Sequence, residues 1–324
     1  MKNNAVAFIR LISLIMIVSC HILQGLGNKM AFWVNVGVQI FLFISGFLYG
    51  TKKIDNFSNF YKQRLIKILL PFSIFSIIIC LIEVLVLKND YSFKFIIGNL
   101  FGLGGLIGTY PLVSHTWFIS YIMICYLITP LLQKIFNGNF RSNLIKLILL
   151  CICLQGLESY AIVRFNACWV INFILGYFYS LSYNDKKERI IYTILIFVTF
   201  VLIFPFAVIY QETLNIALPN FFNHFQNYFI NYGHVLLGCV IFITLYYAFN
   251  LFKVKNNKIF DFSDKYSYYI YLVHQVFILN YFSILHYTKY LSVNIILITI
   301  LSIVSGVILQ KISNLLIRRL IKLN

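Results

Sequence analysis

The sequence predicts an all-α, polytopic transmembrane bundle of about ten helices with both termini on the cytoplasmic side. Three observations carry this expectation. Of the 324 residues, 61% are hydrophobic and only 11% charged, with a mean hydropathy of +0.86, far from the balance of a soluble domain. The apolar residues are gathered into runs of about 17 to 25, the length an α-helix needs to cross roughly 30 Å of hydrocarbon. The 26 basic residues are distributed between those runs with a strong bias to alternate segments, as the positive-inside rule requires.

The runs lie at about 5–24, 33–50, 68–87, 114–133, 144–161, 167–183, 190–210, 231–250, 266–285 and 293–317. The first holds "IVSC" before His21, which resembles a lipoprotein cleavage box, yet the apolar run continues past the cysteine, so it reads as a retained helix and not as a leader. The fifth and sixth runs are so closely linked that they read as a tight hairpin. With the N-terminus inside, the inner segments hold twenty Lys and Arg; the outer ones hold only Lys29, Lys88, Lys94, Arg164 and Lys289, and Arg10 lies within the first helix. A miscounted helix would scramble this alternation.

No polar stretch is long enough for a soluble domain, so residues 1–324 are expected to form one transmembrane domain with no appended soluble one. The net charge of +17 is spread in short clusters, which topology explains, and forms no continuous patch for nucleic acid. The seven cysteines mostly fall inside apolar runs without metal-ligand spacing and read as small buried hydrophobes; no metal is expected. Two longer outer segments stand out: 88–113, with "GNLFGLGGLIG", and 211–230, "QETLNIALPNFFNHFQNYFI". Glycines allow tight turns, and aromatics with amides suit a sugar-binding rim, although interfacial anchoring explains the second segment equally well.

Within "FIRLISLIMIVSCHI" (8–22), Arg10 and His21 are eleven residues apart, which on a helix returns to within about 20° of the same direction with an axial offset of roughly 16 Å. An arginine at this depth costs about 2.5 to 3.5 kcal/mol and needs a reason. Taken singly, Arg10 could snorkel to headgroups and His21 could hydrogen-bond a neighbouring helix. Their shared face favours chemistry: a neutral histidine is a general base for a hydroxyl, and arginine a planar fork for phosphate or carboxylate.

The motif R-x10-H from Arg10 to His21, followed by "GVQIFLFISGFLYG" (37–50) and "FYKQRLIKILLPF" (60–72), resembles the N-terminal signature of the acyltransferase-3 family. Similar pieces follow in the same order: "HTWFISYIMICYLITPLL" (115–132), "INFILGYFYS" (171–180) and "YSYYIYLVHQVFI" (266–278). Six motifs in order span nearly the whole chain. The resemblance implies O-acyl transfer, usually of acetyl, from cytoplasmic acyl-CoA to a glycan hydroxyl, with His21 as the catalytic histidine and Arg10 as its partner. It also aligns Arg64 and Lys67 with a basic pair R-x-x-R for the donor; the lysine keeps the charge but loses the bidentate fork.

The remaining candidates each have two readings. The inner charges Lys52, Lys53, Lys62, Arg64 and Lys67 suit CoA phosphates, or serve topology alone. Ser45 and Gly46 either pack two helices closely or let a thin acyl-pantetheine arm pass. Ser267, Tyr271 and His274 share a helix face, with His274 a structural or a second catalytic imidazole. Trp117 is an interfacial anchor or a substrate platform, and His115 beside it a candidate for the acceptor site. A carboxylate would orient His21, and Glu83 and Glu158 are the two acids at suitable depth, although Glu158 could instead pair with Arg164 across the hairpin.

The expected function is therefore a plasma-membrane O-acyltransferase that uses acyl-CoA, probes a cell-surface or lipid-linked glycan as acceptor, and works alone or with glycan-assembly machinery. A polysaccharide or lipid-linked sugar exporter is the alternative, since ten helices with an inward Arg and His also suit a transporter. Transporters are commonly built from structural repeats with interrupted helices, and no repeat is visible in the sequence.

Overall fold

The structure, a computed structural model, describes residues 3–108, 113–211, 225–255 and 257–322, and every regular element among them is helical. Helix α1 (Asn4–Gly25) starts where the Asn3 side chain accepts from the Val6 N–H. A short α2 (Ala31–Val34) leads into α3 (Gly37–Gly50). Helix α4 (Phe57–Arg64) passes through a π-helical turn (Leu65–Leu69) into α5 (Leu70–Leu85). The short α6 (Phe93–Leu100) and α7 (Gly104–Ile107) precede a 3₁₀ turn (Ser114–Thr116) that opens α8 (Trp117–Ile135). Then come α9 (Phe140–Tyr160), α10 (Ala167–Ser182), α11 (Lys186–Gln211) and α12 (Gln226–Leu251). Finally α13 (Lys258–Val273) ends in a 3₁₀ turn (His274–Phe277), and α14 (Leu291–Lys322) follows. One starting device recurs: Asn56, Asn139, Asn166 and Asn257 use their side chains to accept a backbone N–H at the heads of α4, α9, α10 and α13.

Nine of the ten predicted runs are helical over most of their length, and the ninth in order is the exception. Among the described residues, eight helices are long and apolar enough to cross a membrane, and α10 is a shorter apolar one. Two boundaries differ in an informative way. The third span begins at Phe57, eleven residues before the expected 68, because its first turns are polar and an apolar run cannot reveal them. Thus Lys62, Arg64 and Lys67 sit on the helix itself and not on a loop. The ninth run, expected at 266–285, is helical only to Val273; the chain then tightens at His274 and continues in turns to Tyr290. Backbone of this kind is tolerated at membrane depth where protein buries it, and His274, Gln275 and Val276 are buried. Most of the 211–230 rim lies outside the described residues.

Helices α3 and α10 pack backbone to backbone. A Cβ on Gly46 would strike the Phe173 carbonyl, and one on Gly176 the Phe43 carbonyl, so each helix presents a glycine to the other. Phe43, Phe173, Tyr177, Tyr179 and Phe242 fill the buried core around this seam. Gly46 is therefore committed to packing, whereas Ser45 beside it faces a cavity. Gly46→Ala is expected to destabilise the solubilised protein by about 1–3 kcal/mol through overpacking. Gly156→Ala on α9, where a Cβ meets nothing within 4 Å, should be neutral or slightly stabilising. Thermal melts followed by circular dichroism compare the two; equal melting temperatures would contradict the packing assignment.

Candidate active site

Helices α1 and α13 lie side by side and run parallel, because they meet at two points in the same order. At one end the Arg10 guanidinium forms an ion pair with the Asp264 carboxylate. At the other the His21 ring lies 5.1 Å from the His274 ring, centroid to centroid. Eleven residues separate the two points on α1, roughly 16 Å of helix, and ten separate them along α13 and into the turn that ends it, about 15 Å. Parallel α1 and α13 have the parity that the basic-residue alternation requires of the first and ninth helices.

Between the two points lies a cavity of about 160 Å³, whose polar lining includes Arg10, Asp264, Ser45, Tyr126, Ser267 and Tyr271. Tyr271 connects this cavity to the histidines: its hydroxyl donates to the His115 carbonyl at 2.5 Å, and its own carbonyl accepts from His274 Nδ1 at 2.6 Å. The 3₁₀ turn before α8 brings His115 to within 5.9 Å of His21 and 4.9 Å of His274, centroid to centroid. Three imidazoles from three segments thus meet at one node.

Their hydrogen bonds assign their protons. His274 Nδ1 faces a carbonyl, so it carries the proton. His115 Nδ1 lies 2.8 Å from Gln275 Oε1, which also accepts the His115 backbone N–H at 3.2 Å, so that nitrogen is a donor too. His21 Nδ1 lies 2.7 Å from Gln24 Oε1 and 3.3 Å from Gln275 Nε2. The shorter contact prevails, and His21 donates from Nδ1 to Gln24. Each ring then keeps its basic lone pair on Nε2, and those of His115 and His274 are buried without a hydrogen-bond partner among the described residues. No group of three or more His, Cys, Asp or Glu among the described residues is placed to hold a metal ion.

The structure therefore gathers Arg10, His21, His115, Tyr271 and His274, with Ser45 and Ser267 on the cavity between them. Arg64 is one ring removed: its guanidinium lies 5.6, 5.9 and 5.8 Å from the Tyr49, Phe60 and Tyr126 ring centres, and Tyr126 lines the cavity. Lys67, in the π turn, is exposed. Neither expected carboxylate supplies a hydrogen bond to His21. Glu83 is buried beside Tyr91, whose hydroxyl it hydrogen-bonds; desolvation first, and then Glu83, pushes that hydroxyl up to about 12. Glu158 Oε2 accepts from Gln155 Nε2 and from the Ala167 N–H, both at 2.9 Å, which ties the end of α9 to the start of α10. An amide, Gln24, orients His21 instead.

Three residues of the node escaped the sequence reading: Asp264, Gln24 and Gln275. Asp264 was within reach, since the face shared by Ser267, Tyr271 and His274 extends back three residues to it. It was passed over because it stands just before the apolar run. Gln24 lies three residues beyond His21 on the same helix, the spacing of facing neighbours. Gln275 gave no signal, because it acts through the 3₁₀ turn that replaces the helix there.

A family model described as an acyltransferase domain matches residues 3–310 of the chain. No curated protein and no solved structure shows significant similarity to it.

Proposed function

The chain belongs to the acyltransferase-3 family, and from that premise we propose that it transfers an acyl group, acetyl in the simplest case, from cytoplasmic acyl-CoA to a hydroxyl of a cell-surface or lipid-linked glycan at the plasma membrane. The observation that carries this reading is the line from the Arg10–Asp264 pair, along a cavity, to a histidine whose Nδ1 is tied down by Gln24. In this reading both termini are cytoplasmic, the CoA phosphates meet Arg64 with Lys52, Lys53, Lys62 and Lys67, and the acyl-pantetheine arm passes Arg10 and Ser45.

At the node, His21 Nε2 takes the proton of the glycan hydroxyl as its oxygen attacks the thioester carbonyl. The C–O bond forms, the C–S bond breaks, and the imidazolium returns its proton to the departing CoA sulfur. A base in this role contributes about 10²- to 10⁴-fold. Interrupted helices are also a transporter device, but the two 3₁₀ turns here, at 114–116 and 274–277, each carry a histidine of the node, which favours chemistry over passage.

The test is the acetyl-ester content of the host's surface polysaccharide, read by proton NMR in a deletion strain complemented with the wild-type chain or with His21→Ala at equal expression. One acetyl resonance should vanish on deletion and return only with the wild type. Unchanged esters with reduced polymer export would support the exporter instead.

A further inference from the structure

A second hollow lies where α8 begins, and its chemistry differs from that of the large hollows elsewhere, which are walled almost entirely by aliphatic and aromatic side chains. It holds about 370 Å³, within the usual range of about 300–1,000 Å³ for small-molecule sites. Its walls include Trp117, Trp169, Tyr121, Glu158, Arg164 and Asn166. We propose that this pocket seats a sugar ring of the acceptor glycan; naming the ligand an acceptor rests on the acyltransferase reading.

The two indoles lie 4.4 Å apart, centroid to centroid, with planes inclined by 44°, and Tyr121 packs edge-on to Trp117 at 5.7 Å. Such aromatic walls suit the C–H face of a pyranose. The rim supplies the complementary hydrogen-bonding groups. Glu158 and Arg164 both line the pocket, yet they form no ion pair with each other. Glu158 commits Oε2 to the Ala167 N–H and Gln155, which leaves Oε1 as an acceptor for sugar hydroxyls. Arg164 offers a fork of donors.

The pocket is also built before any ligand arrives. The Tyr121 hydroxyl donates to the Arg164 carbonyl and accepts the Asn166 N–H, both at 3.0 Å, and the Arg164 N–H donates to the Leu106 carbonyl at 2.8 Å. The glycine cluster finds a use here: a Cβ on Gly105 would lie 2.6 Å from the Trp117 carbonyl, so only glycine lets α7 close one side of the pocket. Position completes the argument. Trp117, in the pocket wall, is two residues along the chain from His115 of the node, at the end of α8 that basic-residue alternation assigns to the outside. Glu158 thus changes role, from a partner for His21 to a contact for the acceptor.

Full-length protein in nanodiscs would be titrated, without acyl-CoA, with the host's surface polysaccharide after alkaline removal of its esters, following intrinsic tryptophan fluorescence and, independently, co-sedimentation. R164Q, W169F and E158Q are each expected to weaken binding at least tenfold. Arg164 is exposed and W169F keeps an aromatic ring, so neither result reduces to misfolding. In steady-state transfer from acetyl-CoA, KM for the polysaccharide should rise by a similar factor while kcat stays within threefold. Absence of wild-type binding, or variants within twofold of wild type, would overturn the subsite. A response instead to anionic lipid vesicles, abolished by R164Q, would make it a headgroup site and overturn the sugar assignment. Wild-type binding with no consumption of acetyl-CoA would leave the subsite standing and refute the transferase reading.

Discussion

Replacing His21 by alanine is expected to slow acyl transfer by about 10²- to 10⁴-fold while the bundle stays folded. The argument for a selective effect is structural. His21 is half-buried, and its polar partners are the two amides Gln24 and Gln275, which can rebond to each other or to water when the ring is removed. His115 and His274 differ: both are buried, with Nδ1 protons committed to Gln275 and to the Tyr271 carbonyl. Removing His274 takes this donor from the buried Tyr271 carbonyl, and removing His115 leaves Gln275 Oε1 only the longer bond from the residue 115 backbone N–H, each a loss of up to about 1–3 kcal/mol, so their variants should lose stability as well as rate. Single-turnover transfer from labelled acetyl-CoA, measured beside a melting curve for each variant, separates these cases. A His21→Ala rate within tenfold of wild type would remove His21 from the role of base.

The spans and the Arg10–His21 face were legible in the sequence because both depend on local spacing: hydrocarbon thickness fixes the run length, and helical periodicity fixes the face. What was not legible depends on departures from that periodicity. Gln275 reaches His115 and approaches His21 only because α13 gives way to a 3₁₀ turn at His274. Arg64 meets three aromatic rings from a helix whose polar first turns concealed its start. The acids misled for a related reason. Depth within an apolar run was a sound criterion for a costly charge, and Glu83 met it, but it is bonded to Tyr91. Asp264, the acid that does meet the R-x10-H face, lies just outside its run.

Asp264→Ala is expected to be among the most damaging single substitutions outside the node itself, because it strips the carboxylate from an arginine set in an apolar helix interface. Removal of one partner costs about 3–5 kcal/mol in a fully buried pair and at most about 1 kcal/mol in an exposed one. The side chains of Arg10 and Asp264 are 19% and 34% exposed, so an intermediate loss is expected. The ion pair has two separable consequences: it fixes the register of α1 on α13, which sets His21 against His274 about 15 Å away, and it places a guanidinium on the cavity wall. The double variant Arg10→Met/Asp264→Leu separates them, since apolar replacement of a buried ion pair is often neutral or stabilising. Its melting temperature should recover relative to Asp264→Ala, and the register with it, while KM for acetyl-CoA stays at least tenfold above wild type because the guanidinium is gone. Recovery of both stability and KM would mean that the pair serves register alone, and that Arg10 does not hold the donor.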